Sequence, residues 1–150
     1  RAEALKHPNI QLILEYKPAH NSKERQWEGA EAIVRKVAEY GLQERTDYIA
    51  FSLEACRALA HYAPEAAVYY LNGELSPSRL KEEGFAGADY NKAILLGLDT
   101  KFTARAHELG LKVNVWTVNK ESEMAKAAEL GIDFLTTDYP EVAMKLYGQQ

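Results

Sequence analysis

Six short apolar runs alternate along the chain with stretches whose apolar residues recur at helical spacing. No other feature restricts the fold as strongly. Strands are expected over 10–17, 48–52, 66–71, 87–91, 111–116 and 132–136. Helices are expected over 26–40, 53–62, 76–83, 100–109, 120–130 and 140–147, with Gly41, Gly110 and Gly131 as stops. Residues 1–9 read as the end of a helix and a turn, broken at Pro8. Strands that alternate with helices form a parallel sheet with right-handed crossovers. Such a sheet is either doubly wound and open or part of a (β/α)8 barrel.

The strand faces choose between these two. In the fifth run Leu111, Val113 and Val115 share one face and Lys112, Asn114 and Trp116 the other. In the first run Gln11, Ile13, Glu15 and Lys17 fall together. A doubly wound sheet is covered by helices on both faces and disfavours such polar positions, whereas a barrel whose lumen opens into a site accepts them. No strand is followed by a glycine-rich phosphate loop. The expected fold class is therefore α/β, a partial TIM-type (β/α)8 barrel of six parallel strands. A chain of 150 residues suits a single domain spanning 1–150.

Composition removes several classes of function. A hydrophobic content of 47% with balanced charges describes a globular chain, and a net charge of -4 offers no basic surface for nucleic acid. The longest apolar runs fall short of the ~20 residues of a membrane span. Cys56 is the single cysteine, which excludes an internal disulfide and a cysteine-rich zinc site. Its helical surroundings make it an inert buried thiol. The chain starts at Arg1 without Met, so its compartment is not readable, and periplasmic, secreted and cytoplasmic locations all stay open.

The first run ends in Glu15-Tyr16-Lys17, just before Pro18. At ~3.3 Å per residue, Glu15 and Lys17 lie about 7 Å apart at Cα on one face of the strand's carboxyl end. Open α/β sheets and barrels place their ligands at that end. A carboxylate and an ammonium there can hold a cation and an anion together, such as a metal-bound phosphate. The same spacing also fits a polar strand end that points into water.

Four segments then occur in order: Leu14-Glu15-Tyr16-Lys17, Ile49-Ala50-Phe51-Ser52, Val113-Asn114-Val115-Trp116-Thr117-Val118-Asn119, and Gly131-Ile132-Asp133-Phe134-Leu135-Thr136-Thr137-Asp138-Tyr139-Pro140. Together they resemble the glycerophosphodiester phosphodiesterases, a (β/α)8-barrel family, from about its third strand to its eighth. The resemblance implies metal-dependent hydrolysis of a small-molecule glycerophosphodiester to an alcohol and glycerol 3-phosphate. It makes Glu15 a metal ligand and Lys17 the catalytic, phosphate-holding lysine. Trp116 becomes a wall of the substrate pocket. Asn119 either orients substrate or caps the next helix, and Asp138 organises the start of the last helix. Hard oxygen donors point to Ca²⁺ or Mg²⁺.

The family's amino-terminal motifs, which supply its histidines and most metal ligands, have no counterpart here, and His7, His20, His61 and His107 match none of them. Of these, only His20, in the loop after the first strand, could approach a ligand, while His61 and His107 read as packing or surface residues. Ala50 stands where the family often has Ser. The 150 residues alone are expected to be inactive and to pair, through exposed barrel edges, with a copy of themselves or with the missing part. Two other readings stay open: a half-barrel with a binding or scaffold role, and an unrelated barrel lyase using Lys17 as a Schiff base. Tyr70 and Tyr90 are candidates for the core or the pocket rim.

Overall fold

A computed structural model describes residues 6–148. The helix end expected over the first residues lies, up to residue 5, outside the described residues. The fold class is α/β, six parallel strands alternating with helices in the manner of part of a TIM-type barrel. The described residues form two compact units, one reaching up to residue 72 with 83–85 and one of residues 73–82 with those from 86 onward.

In the first unit β1 (Leu12–Glu15), β2 (Thr46–Ala50) and β3 (Val68–Tyr70) lie side by side in chain order. The parallel register pairs Glu15 with Ile49 and Ala50 with Tyr70. Helices α1 (Lys23–Glu39) and α2 (Leu53–Tyr62) connect them. The core holds Ala30, Tyr48, Ala50, Cys56, Leu59 and Val68, all nearly inaccessible. Full burial of a side chain such as Leu59 stabilises by about 1.5–3 kcal/mol. Cys56 lies among them as expected, and burial pushes its thiol up to about 12.

Several boundaries in this unit differ from the sequence expectation, and at three of them the reason is one that hydropathy does not show. β1 starts later because the Ile10 carbonyl accepts from the Arg45 guanidinium rather than from a neighbouring strand. β2 starts two residues earlier, where Asp47 Oδ1 accepts the Ala67 N–H and the buried Thr46 hydroxyl donates to the Leu42 carbonyl. α1 begins at Lys23 because the side chain of Ser22 accepts the Arg25 N–H, a cap hidden within a polar loop.

The second unit contains β4 (Gly87–Asn91), β5 (Lys112–Trp116) and β6 (Phe134–Leu135), again parallel and in order. Most of α3 (Pro77–Glu83) belongs to this unit, followed by α4 (Phe102–Glu108), α5 (Glu121–Glu129) and α6 (Pro140–Tyr147). Val113 and Val115 are fully buried with Ala88 and Met124, while Lys112 is exposed and Asn114 and Trp116 half-buried. The expected division of β5 into an apolar and a polar face is thus observed. Gly87 is required at the start of β4, since a Cβ there would lie 1.8 Å from the Lys112 carbonyl oxygen. A π-helical turn, Ile94–Leu98, was not foreseen. Its run of apolar residues is too short to show a helical period, and the bond from Asp99 N–H to the Ile94 carbonyl closes it.

Candidate active site: two strand-end clusters

The end of β1 carries the first cluster. Lys17 Nζ lies 3.5 Å from Glu15 Oε2, with the two side chains 78% and 30% exposed. Tyr16, between them, is buried. Its N–H donates to the Ile49 carbonyl at 2.9 Å and its hydroxyl donates to the Gln26 carbonyl at 3.0 Å. The alternation read from the sequence therefore does bring Glu15 and Lys17 together. An exposed pair of this kind stabilises a fold by only about 0–1 kcal/mol, so both charges stay available to a ligand. Lys17 is solvated and has a carboxylate partner, whereas a Schiff-base lysine is desolvated. His20 is exposed in the loop after β1.

The second cluster belongs to the other unit. Asp89 on β4 stands in register with Asn114 on β5. Asn114 Nδ2 donates to Asp89 Oδ1 and also, at 2.9 Å, to Thr136 Oγ1 just beyond β6. Trp116 Nε1 donates to the Asp89 carbonyl at 2.8 Å, which fixes the half-buried indole against β4. Past the strand, Asn119 Nδ2 donates to Asp138 Oδ2 at 2.8 Å, and its Oδ1 accepts from the Asp138 N–H and the Thr137 hydroxyl. Asn119 does not cap α5, whose cap residue is Lys120 and makes no side-chain cap bond. Its carboxamide ties down the loop before α6, where Tyr139 is the cap residue without a side-chain cap bond and the Asp138 carboxylate accepts from Asn119.

Asp89 escaped the sequence reading. A lone carboxylate inside a short run is unremarkable until the register places it against Asn114, and its presence beside Tyr90 in a strand was the available signal. Tyr70 and Tyr90 are both core residues, Tyr70 stacked on Phe85 and Tyr90 donating to the Leu75 carbonyl. His61 packs against Trp27 and Tyr62, and His107 Nε2 lies 2.8 Å from Asp133 Oδ2.

Among the described residues, no three His, Cys, Asp or Glu side chains come together in a way that could hold a metal ion. Glu15 is one hard oxygen donor, whereas Ca²⁺ takes about six to eight oxygens and Mg²⁺ a full octahedron. The residues described do not by themselves fit either ion as a complete site.

The sequence model of the glycerophosphoryl diester phosphodiesterase family matches residues 2–142. The chain belongs to this family. A glycerophosphodiester phosphodiesterase from Parabacteroides distasonis is 41% identical in sequence with a TM-score of 0.92, the match covering 97% of this chain and 60% of that one. A phosphodiesterase from Oleispira antarctica, solved with its product sn-glycerol-3-phosphate, shares the fold at 23% identity and a TM-score of 0.80, over 98% of this chain and 59% of that one. The glycerophosphodiester phosphodiesterase of Thermotoga maritima does so at 19% identity and 0.68, over 91% and 57%. The chain thus spans about 60% of the length of the solved relatives it matches. A search of curated proteins gave no match.

Proposed function

We propose that this chain provides the phosphate-holding portion of a phosphoric diester hydrolase acting on glycerophosphodiesters, releasing an alcohol and glycerol 3-phosphate. The observation that carries the reading is the Glu15–Lys17 pair at the carboxyl end of a parallel strand, 3.5 Å apart, in a chain the family model matches over residues 2–142. The Lys17 ammonium would sit against the phosphoryl oxygens and offset the charge that grows there as the bond to the leaving alcohol breaks. Glu15 would hold the ammonium in place and would serve as one ligand of a Ca²⁺ or Mg²⁺ ion. In the second unit Trp116 is fixed by its bond to the Asp89 carbonyl and Asn119 ties down the loop before α6, and the family resemblance would make both of them substrate contacts.

The test is hydrolysis of a glycerophosphodiester by the full-length enzyme with added Ca²⁺ or Mg²⁺. Lys17→Ala is expected to lower kcat/KM by about 10²–10³-fold, the size of one lost transition-state donor, without changing the melting temperature. Retention of full activity would sink the assignment. The 150 residues assayed alone are expected to be inactive. Among the described residues no three His, Cys, Asp or Glu side chains group to hold an ion, and His61 and His107 have partners of their own, Trp27 and Tyr62 for the one and Asp133 for the other.

The outer strands leave apolar side chains uncovered, Ile10, Ile13 and Leu14 about β1 and Phe134, Tyr139 and Met144 about β6 and α6. Such edges recruit further strands. Light scattering of the isolated 150 residues should therefore show self-association, and a monodisperse monomer would show that these edges do not associate.

A further inference from the structure

We propose that Tyr16, Gln26 and Gly29 act as a positioning device that fixes the spacing and direction of Glu15 and Lys17. The proposal deepens the phosphodiesterase reading above and rests on it for its catalytic consequence. In extended backbone, neighbouring side chains point to opposite faces. Whatever anchors Tyr16 on one side therefore aims both of its neighbours to the other.

The anchor is built from three elements. The Tyr16 N–H extends the β1–β2 ladder by donating to the Ile49 carbonyl. The Tyr16 hydroxyl donates to the Gln26 carbonyl in the opening part of α1. Gln26 is itself buried, and its Oε1 accepts from the Ser52 hydroxyl. That hydroxyl also accepts the Ala55 N–H at the start of α2. Pro18 restricts Lys17 to extended conformations from the other side.

Gly29 explains how the ring fits. A Cβ at this position would lie 2.1 Å from Tyr16 Oη and 3.0 Å from Cζ. Gly29 sits inside α1, where alanine is the better helix former. Helix propensity therefore favours Gly29→Ala, whereas the contact opposes it. The ring is rigid and enclosed, so the displacement passes to the backbone of residues 15–17.

The experiment compares Gly29→Ala, Tyr16→Phe and the double variant in the full-length enzyme. Three readouts are followed: kcat and KM, thermal melting, and the NMR resonances of the Glu15 carboxyl and the Lys17 side chain. Gly29→Ala should lower kcat by about 10- to 100-fold, the cost of misplacing a reacting group by about 1 Å, with KM little changed and both resonances shifted. Tyr16→Phe keeps the ring but loses its bond to Gln26, and should shift the resonances with a smaller loss of kcat. In the double variant the hydroxyl that meets the new Cβ is gone, so kcat should recover towards that of Tyr16→Phe, a non-additive result. A merely structural role would lower the melting temperature and leave kcat per folded molecule unchanged. Wild-type kcat with unshifted resonances, or strictly additive losses, would overturn the proposal. If Gly29→Ala fails to fold, the Tyr16→Phe resonances decide. Should Lys17→Ala prove fully active, the phosphodiesterase assignment fails, and the resonances alone still decide whether the device positions the pair.

Discussion

At the end of β1 the polar groups are charged and open to solvent, with Lys17 78% exposed beside Glu15. In the middle of β4 and β5 they are held inside a mutual network, with Asp89 buried and Asn114 donating to both Asp89 and Thr136. The first arrangement adds little to stability and leaves its charges free to meet a ligand. The second contributes to the fold, because each buried polar atom that loses its partner costs free energy. An exposed charged pair and an enclosed polar network thus lie in different units.

That comparison can be broken in order of effect. Asp89→Ala should destabilise the protein by about 1–3 kcal/mol, the cost of taking a buried acceptor away from the half-buried Asn114 amide, as measured by urea denaturation. Lys17→Ala should change stability by less than about 0.5 kcal/mol in the same experiment, as expected for an exposed side chain. Equal losses in the two variants would erase the distinction.

A finer probe is Glu54, a carboxylate of the first unit that does have built-in partners. The Trp27 indole, donating at 3.0 Å, and then Arg57 hold its carboxyl below the usual carboxylate range. A lowered value in the folded state means that the unfolded chain takes up the proton first. The stabilisation is therefore present above the ordinary carboxylate value, about 4.3 for Glu, and is lost as pH falls through the folded value. Trp27→Phe removes the largest cause, so its destabilisation should be greater at pH 7 than at about pH 3. A pH-independent effect would mean that the indole acts through packing alone.

Legibility followed the range of the interaction. The pairing of Glu15 with Lys17 and the division of β5 into two faces were readable because side-chain direction in a strand has a period of two. The cap at Ser22, the early start of β2 and the π-helical turn were missed. Each depends on hydrogen bonds that a hydropathy pattern does not report. Asn119 was legible as a residue past a strand end, but its partners, Thr137 and Asp138, lie 18 and 19 residues further along.

By itself the sequence determined six alternating strands and helices, the face each strand residue takes, and the flanking of Tyr16 by two opposite charges. These follow from local backbone geometry, which neighbouring residues set. Only the tertiary structure decided that Asp89 meets Asn114, that Tyr16 reaches Gln26, and that Gly29 leaves room for the phenol. Those contacts depend on strand register and on how closely a helix approaches the sheet, and both are settled by packing between segments distant in the chain.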